Sequence, residues 1–161
     1  MSFEAIKYHD ECYFGTVYNG KPHGFGISFV VHGQSPVKLL TGSVYEGWWD
    51  MGIRSGDGNI FMENGDYYVG NWKSGFFDKG KLIKPNGTCF EGTWRFEDLE
   101  MKFKGKYIDE EKEGNFDIQM NDLKTFLNYG SCEGQVDIEW KTGEHYRGGW
   151  KNGARHGIGQ R

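Results

Sequence analysis

The sequence predicts an all-β protein, an elongated single-layer antiparallel meander of about 14 strands built from β-hairpin repeats. Three observations lead to this prediction. The chain contains 26 glycines among 161 residues, and 17% of its residues are aromatic. Abundant glycine together with abundant rings favours short strands and tight turns over disorder. The phrase aromatic-x-Gly-x-Trp at Tyr45–Trp49 returns 23 residues later at Tyr68–Trp72, and recurrence at such an interval is the signature of a repeat architecture.

The complete repeat has an aromatic residue at position 1, tryptophan at position 5, and glycine at positions 3, 8, 12 and 14. The segments that begin at Tyr45 and Tyr146 fill all six positions. The segment from Tyr13 fits with one substitution at the tryptophan position, and those from Tyr68 and Phe90 fit in part. The sequence therefore predicts a single repeat domain over 1–161, with clear repeats at 13–29, 45–94 and 146–160 and a degenerate stretch at 97–133.

This pattern resembles the MORN (membrane occupation and recognition nexus) repeat, whose family pattern is Y-x-G-x-W-x-x-G-x-x-x-G-x-G. The resemblance is specific at 13–26, 45–75 and 146–159, partial at 90–94 and weak between 97 and 133. Proteins with MORN repeats serve as cytoskeletal and membrane-junction scaffolds, and they also occur in bacteria and in large DNA viruses. The resemblance thus implies a non-enzymatic scaffold that binds a protein partner or copies of itself, as a structural component of a larger complex or virus particle.

Each repeat is predicted to form one hairpin. Side chains alternate across a strand, so positions 1, 3 and 5 share a face on which two rings flank a glycine. A ring that covers a neighbouring glycine stabilises a sheet. Asn-Gly and Thr-Gly turns at 63–66, 85–88 and 141–144 join successive hairpins. No helix is expected, and an extended turn is predicted at 95–102. The predicted strands are 2–8, 12–17, 25–31, 43–49, 58–62, 66–72, 79–84, 88–94, 101–107, 115–120, 123–129, 134–140, 144–150 and 157–160.

The rings of the repeat are predicted to form a stripe on one concave face. We expect them to pack against one another and, because a single layer cannot bury a full face of rings, to line an exposed groove that binds a partner. The strand at 157–160 is a second expected contact, since an uncapped edge offers unpaired backbone groups. The predicted partner-binding residues are Tyr45, Trp49, Tyr68, Trp72, Phe90, Trp94, Tyr146 and Trp150.

The charge of the chain limits its partners. A net charge of −4 argues against nucleic acid, whose binding depends on a basic footprint. Binding of acidic phospholipid at a membrane is the alternative function, although the negative charge disfavours it. No apolar run approaches the ~20 residues needed to span a bilayer, and the N-terminal residues contain no secretory signal. We therefore expect an intracellular, cytoplasmic protein, within a large assembly or virus particle. The basic residues available to a lipid surface are Lys141, Arg147, Lys151, Arg155 and Arg161.

No catalytic, cofactor-binding or metal-binding residues are predicted, because the repeat register explains each candidate. Cys12 and Cys89 occupy the same slot before position 1, and His23 and His156 both precede the glycine at position 12. These are sheet and turn positions rather than parts of a zinc or nucleophile site. The glycine-rich stretches lack the helix that a phosphate-binding loop requires. The acidic cluster between 97 and 113 is interpreted first as a solvated edge of the sheet. A contact for a basic partner is the second interpretation, and paired catalytic carboxylates are the third.

Overall fold

The chain forms an antiparallel meander of thirteen strands within the described residues, which confirms the predicted all-β fold. The structure is a computed structural model. It describes the backbone of residues 1–31, 42–97, 100–120 and 132–161, and the side chains of these residues except at positions 97, 120 and 132. No helix occurs in these ranges. The strands are β1 (Ser2–Tyr8), β2 (Glu11–Tyr18), β3 (Lys21–Val30), β4 (Val44–Asp50), β5 (Ile53–Phe61), β6 (Tyr67–Lys73), β7 (Phe76–Ile83), β8 (Cys89–Glu97), β9 (Glu100–Ile108), β10 (Lys112–Met120), β11 (Cys132–Trp140), β12 (His145–Lys151) and β13 (Ala154–Gln160).

The strands succeed one another in the sheet in chain order. They belong to two compact units, a first unit at Met1–Asp78 and a second unit at Lys79–Arg161. The first unit holds β1 to β6 and the beginning of β7, and the second unit holds the rest of β7 and the strands that follow it. The single repeat domain expected over 1–161 stays a prediction.

The three strong repeats fold as hairpins that share one register. In each, position 3 pairs with position 14 and position 5 pairs with position 10. The second strand thus spans more residues than the first, and a β-bulge absorbs the difference. The glycine at position 12 lies in this bulge with a φ of 71° to 91°, a conformation that favours glycine. The paired residues are Gly15↔Gly26, Val17↔Pro22, Gly47↔Gly58, Trp49↔Arg54, Gly148↔Gly159 and Trp150↔Arg155.

Several strand boundaries differ from the prediction for a physical reason. β3, β5 and β13 begin at Lys21, Ile53 and Ala154 rather than at 25, 58 and 157, because the glycine at position 12 is a bulge inside the strand instead of lying at or before its start. The extended turn predicted at 95–102 is wrong, since β8 continues to Glu97 and β9 begins at Glu100. The strand predicted at 123–129 lies outside the described residues.

The turn inside each of four hairpins uses two residues with positive φ. Such pairs are typical of the type I′ turn, whose twist matches that of the flanking strands. The N–H of Gly52 donates to the carbonyl of Pro22 at 2.7 Å, and the N–H of Gly75 donates to the carbonyl of Arg54 at 3.1 Å. Each of these two turns is therefore tied to the preceding hairpin at the same repeat positions. The turn pairs are Asn19–Gly20, Met51–Gly52, Ser74–Gly75 and Asn152–Gly153.

A tyrosine ring covers the glycine pair of each strong hairpin on the inner face, the side that carries positions 1, 3 and 5. A Cβ added at Gly26 would lie 2.3 Å from the ring of Tyr13, and one added at Gly58 would lie 2.4 Å from the hydroxyl oxygen of Tyr45. Only glycine fits beneath these rings. Each tyrosine hydroxyl donates to the carbonyl three residues ahead at 2.7 to 2.9 Å, in the pairs Tyr13–Thr16, Tyr45–Trp48, Tyr68–Asn71 and Tyr146–Gly149.

The inner face of the first unit also contains a buried charge. The guanidinium carbon of Arg54 lies 4.9 Å from the ring centre of Tyr45. It lies 5.4 Å and 5.6 Å from those of Trp49 and Trp72. The carboxylate of Glu11 accepts a hydrogen bond from this guanidinium. Cation–π contacts and a paired carboxylate offset the cost of placing a charge in an aromatic core.

The inner face of the second unit is filled by rings from consecutive strands. Phe90 meets Phe103 at a ring-centre distance of 5.5 Å and Tyr107 at 4.9 Å. Trp94 lies 4.4 Å from Phe103, and Tyr107 stacks on Phe116 at 4.5 Å. Edge-to-face and stacked pairs of this kind add to the stabilisation that burial alone provides.

Candidate functional site

The outer face of the first unit carries apolar side chains at the residues that alternate with the inner repeat positions. The register brings them side by side, with Phe14 opposite Ile27 and Phe25 opposite Trp48. Side chains directly opposite one another in a sheet lie on the same face. We call the exposed members of this array the apolar face, which consists of Phe14, Phe25, Ile27, Phe29, Trp48 and Phe61.

Ring contacts hold the apolar face in place. Phe25 and Trp48 meet edge to face with their centres 5.7 Å apart. Phe14 and Phe29 form a second such pair at 6.3 Å. All of these rings stand on hydrogen-bonded strands, so they lose little conformational freedom when a partner covers them.

The apolar face is large for an exposed surface. Each of its six residues keeps between 36% and 58% of its surface accessible. Since aromatic side chains have about 150–250 Å² each, the five rings expose roughly 400–600 Å². Patches of that size are the largest found on typical monomers and commonly mark binding sites.

Acidic groups accompany the apolar face. Glu46 lies on β4 directly opposite Ile27, and its exposed side chain forms no ion pair with another described residue. Asp57 is exposed on β5 and likewise has no ion pair within the described ranges. Asp50, at the end of β4, has a carboxylate oxygen 3.6 Å from Nδ1 of His23. The surface is therefore apolar with an acidic side on β4 and β5.

The eight residues predicted to line a groove lie in the core instead of at an exposed surface. The rings interdigitate, because Tyr45 and Tyr146 lie over glycine pairs and the tryptophans fit beside other rings, as Trp72 does at 5.0 Å from Tyr45. The expectation that a single layer cannot bury a full face of rings is therefore wrong for these eight residues. Their role in binding a partner stays a prediction. Their exposures are Tyr45 0%, Trp49 5%, Tyr68 0%, Trp72 1%, Phe90 4%, Trp94 1%, Tyr146 3% and Trp150 6%.

The apolar face was not predicted from the sequence, although β3 carries a signal for it. Phe25, Ile27 and Phe29 alternate with Gly26 and Ser28. The repeat register assigns Gly26 to the inner face, so the three apolar residues must point outward. The residues between the repeat positions were therefore sufficient to predict the apolar face.

Two findings in the described residues concern metal ions and thiols. No group of three or more His, Cys, Asp or Glu side chains in the described ranges is arranged to hold a metal ion. Burial raises the pKa of the Cys89 thiol, so it is protonated at neutral pH. The part of the chain that the structure describes contains no helix suited to crossing a membrane.

Comparison with known proteins gives a partial similarity. No protein-family model matches the chain. Over 99 residues the chain is 30% identical to alsin of Rattus norvegicus and of Homo sapiens, and 29% identical to alsin of Mus musculus. The aligned part is 58% of this chain but 5% to 6% of those proteins. The chain thus corresponds to a small segment of much longer relatives.

Proposed function

We propose that the chain is a MORN-type repeat module without catalytic activity, which binds a protein partner through the apolar face within an intracellular assembly. The observation that carries this proposal is the row of half-exposed rings on the outer side of β2 to β5. The inner face is already filled by the chain's own side chains. No described residue covers the outer rings to a comparable extent.

The size of the apolar face supports binding of a macromolecule rather than a small ligand. The exposed rings supply roughly 400–600 Å². A stable protein interface needs about 800 Å² from each partner, so the rings supply roughly half to three quarters of that area. Trp48 and Phe25 are the expected anchors, because aromatic side chains dominate the energy of such interfaces.

The partner that fits is a protein segment whose apolar side chains are interspersed with lysine or arginine. Glu46 lies inside the array, and covering it with apolar groups alone would bury an unpaired carboxylate. A cation on the partner would pair with Glu46, and further cations would meet Asp50 and Asp57. A second copy of this face would instead bring like charges together. An anionic membrane, the alternative predicted from the sequence, would be repelled by the same carboxylates.

Fluorescence anisotropy with labelled peptides tests this proposal. The probes are short peptides that alternate leucine with lysine, leucine with glutamate, or serine with lysine. We expect the Leu–Lys peptide to bind most tightly. The double variant Phe25→Ser/Trp48→Ser should weaken its binding at least tenfold, since interface anchors contribute about 2 kcal/mol or more. Glu46→Gln should weaken the Leu–Lys peptide but not the Leu–Glu peptide.

The matched control is Ile158→Ser in the second unit, which replaces a side chain that is 99% exposed. It should leave the affinity unchanged, and near-UV circular dichroism verifies that every variant is folded. The proposal would be overturned if all three peptides bound with equal affinity. It would also be overturned if Ile158→Ser weakened binding of the Leu–Lys peptide as much as Phe25→Ser/Trp48→Ser does. Binding to phosphatidylserine vesicles in place of the Leu–Lys peptide would also overturn it, in favour of the lipid alternative.

A further inference from the structure

The outer face of the second unit is basic along β7 to β9, where the first unit carries its apolar face. The register aligns Lys79 with Thr93, Thr93 with Lys104, and Lys104 with Asp117 across β7 to β10. The adjacent row contains Lys106 and its neighbours on either side. We define the basic face by its six cationic side chains, Lys79, Lys81, Arg95, Lys102, Lys104 and Lys106.

On β7 to β9 the cations of the basic face outnumber the described carboxylates on the same side, which are Glu91 and Glu100. Glu91 and Asp117 are the acidic residues directly opposite its members. Glu91 interacts with Lys81, where the Nζ–Oε2 distance is 3.8 Å. Within the described residues, Lys102, Lys104 and Lys106 have no ion pair. A cationic surface of this density is notable in a chain whose net charge is −4.

One pairing within the basic face is unfavourable in the isolated chain. Arg95 lies directly opposite Lys102, and like charges at such positions destabilise a sheet. An anion placed over this pair would relieve the repulsion. We propose that the basic face binds an acidic, extended segment of a partner protein.

The geometry of β9 favours an extended peptide. Lys102, Lys104 and Lys106 are alternate residues on one face, so they recur about every 6.8 Å. The acidic residues of an extended chain with a carboxylate at every second position recur at the same interval. The side chains could therefore meet one to one along β9.

Other polyanions fit the basic face less well. Proteins that bind single-stranded nucleic acid stack its bases on aromatic side chains, and the rows of Lys102, Lys104 and Lys106 contain no ring among the described residues of β7 to β10. Attachment to an anionic membrane is strengthened by apolar side chains that enter the lipid, whereas the rows of Lys104 and Lys102 contain none among the described residues. Ordered spacing has no counterpart in a fluid lipid surface.

The test measures binding of a labelled peptide that alternates glutamate with serine. We expect it to bind the full chain with strong dependence on salt, and more tightly than a peptide of the same composition with its glutamates in one block. The triple variant Lys102→Gln/Lys104→Gln/Lys106→Gln should reduce the affinity at least tenfold. The control Lys7→Gln/Lys21→Gln/Lys73→Gln removes the same charge from the first unit and should have little effect.

Equal loss of affinity in both triple variants would overturn the proposal, because the effect would then come from net charge. Equal affinity for the alternating and block peptides would overturn the one-to-one alignment. The unmodified chain could instead bind phosphatidylserine vesicles or oligothymidylate more tightly than the alternating peptide. If the triple variant at Lys102, Lys104 and Lys106 abolished that binding and the control did not, the occupant would be lipid or nucleic acid. Self-association that depends on the same three lysines would assign the face to a second copy.

Discussion

The guanidinium of Arg54 on β5 donates a hydrogen bond to the carboxylate of Glu11 on β2, although β3 and β4 lie between these strands in the sheet. The side chains meet on the inner face, where both are largely buried. The pair thus connects the first hairpin to the second through side chains. It also supplies the counter-charge that allows a guanidinium to lie against Tyr45, Trp49 and Trp72.

Replacing Glu11 by alanine should therefore destabilise the protein strongly, because Arg54 would remain buried without its partner. We expect a loss of about 3 kcal/mol in the free energy of unfolding, measured by urea denaturation. The double variant Glu11→Leu/Arg54→Met should lose less than the sum of the single changes. As a control, Glu91→Ala removes an exposed pair and should cost less than about 1 kcal/mol. If Glu11→Ala lowered the free energy of unfolding as little as Glu91→Ala does, the pair would not have this structural role.

Gly58→Ala should also destabilise the first unit. The new methyl carbon would lie 2.4 Å from the hydroxyl oxygen of Tyr45, and relieving such overpacking costs about 1–3 kcal/mol. Asn59→Ala, at the next position of β5, points outward and is the matched control. If thermal denaturation gave the same midpoint for both variants, Tyr45 would not cover Gly58 as described.

Met51→Asn should stabilise the protein. Met51 occupies the first central position of the second hairpin turn with a φ of 47°, a conformation that asparagine tolerates better than methionine. We expect a gain of about 1 kcal/mol. The first hairpin provides the reverse experiment, since Asn19 has a φ of 50° and Asn19→Met should lower the melting temperature. If Met51→Asn and Asn19→Met shifted the melting temperature in the same direction, this explanation of the two turns would be wrong.

The turn between β9 and β10 should lose stability in acid. Burial raises the pKa of Asp109, but hydrogen bonds from Lys112, Tyr107 and the backbone N–H groups of Glu111 and Lys112 outweigh it and lower the pKa to about 2. Because the folded value lies below the ordinary value of 3.8, the stabilisation is complete above about pH 4 and is lost as the pH falls towards 2.

Unfolding experiments across this pH range check the assignment. In Asp109→Asn the stability should be lower at neutral pH and should fall less steeply between about pH 4 and pH 2. Glu110→Gln, which changes an exposed neighbour, is the control. An unchanged pH profile in Asp109→Asn would mean that these hydrogen bonds do not form.

Much of the fold follows from the repeat pattern. Glycines at positions 3 and 14 pair across each of the three strong hairpins, as Gly47 and Gly58 do, and the alternation of side chains places Tyr45 over them. The strand starts were predicted less well, because sequence pattern alone does not distinguish a glycine that begins a strand from one that forms a bulge within it. Gly56, with a φ of 87°, is such a bulge.

The repeat pattern assigns Trp49 to the inner face and therefore its neighbour Trp48 to the outer face. What the pattern does not contain is which outer residues of different strands lie side by side, as Phe25 and Trp48 do. The basic face escaped notice because its members come from β7, β8 and β9. Their combined positive charge becomes visible only when Lys79, Arg95 and Lys104 are placed on one side of the sheet.

The contrast between Trp48 and Trp49 provides the most direct test of the central claim, that the outer face of the first unit binds the partner. Trp48 is 50% exposed and Trp49 is 5% exposed. With 5-fluorotryptophan incorporated and each fluorine signal assigned by substitution, the Leu–Lys peptide should shift the signal of Trp48 and leave those of Trp49 and Trp72 in place. Shifts at Trp49 and Trp72 with an unchanged Trp48 signal would contradict the account and return the binding site to the inner aromatic stripe.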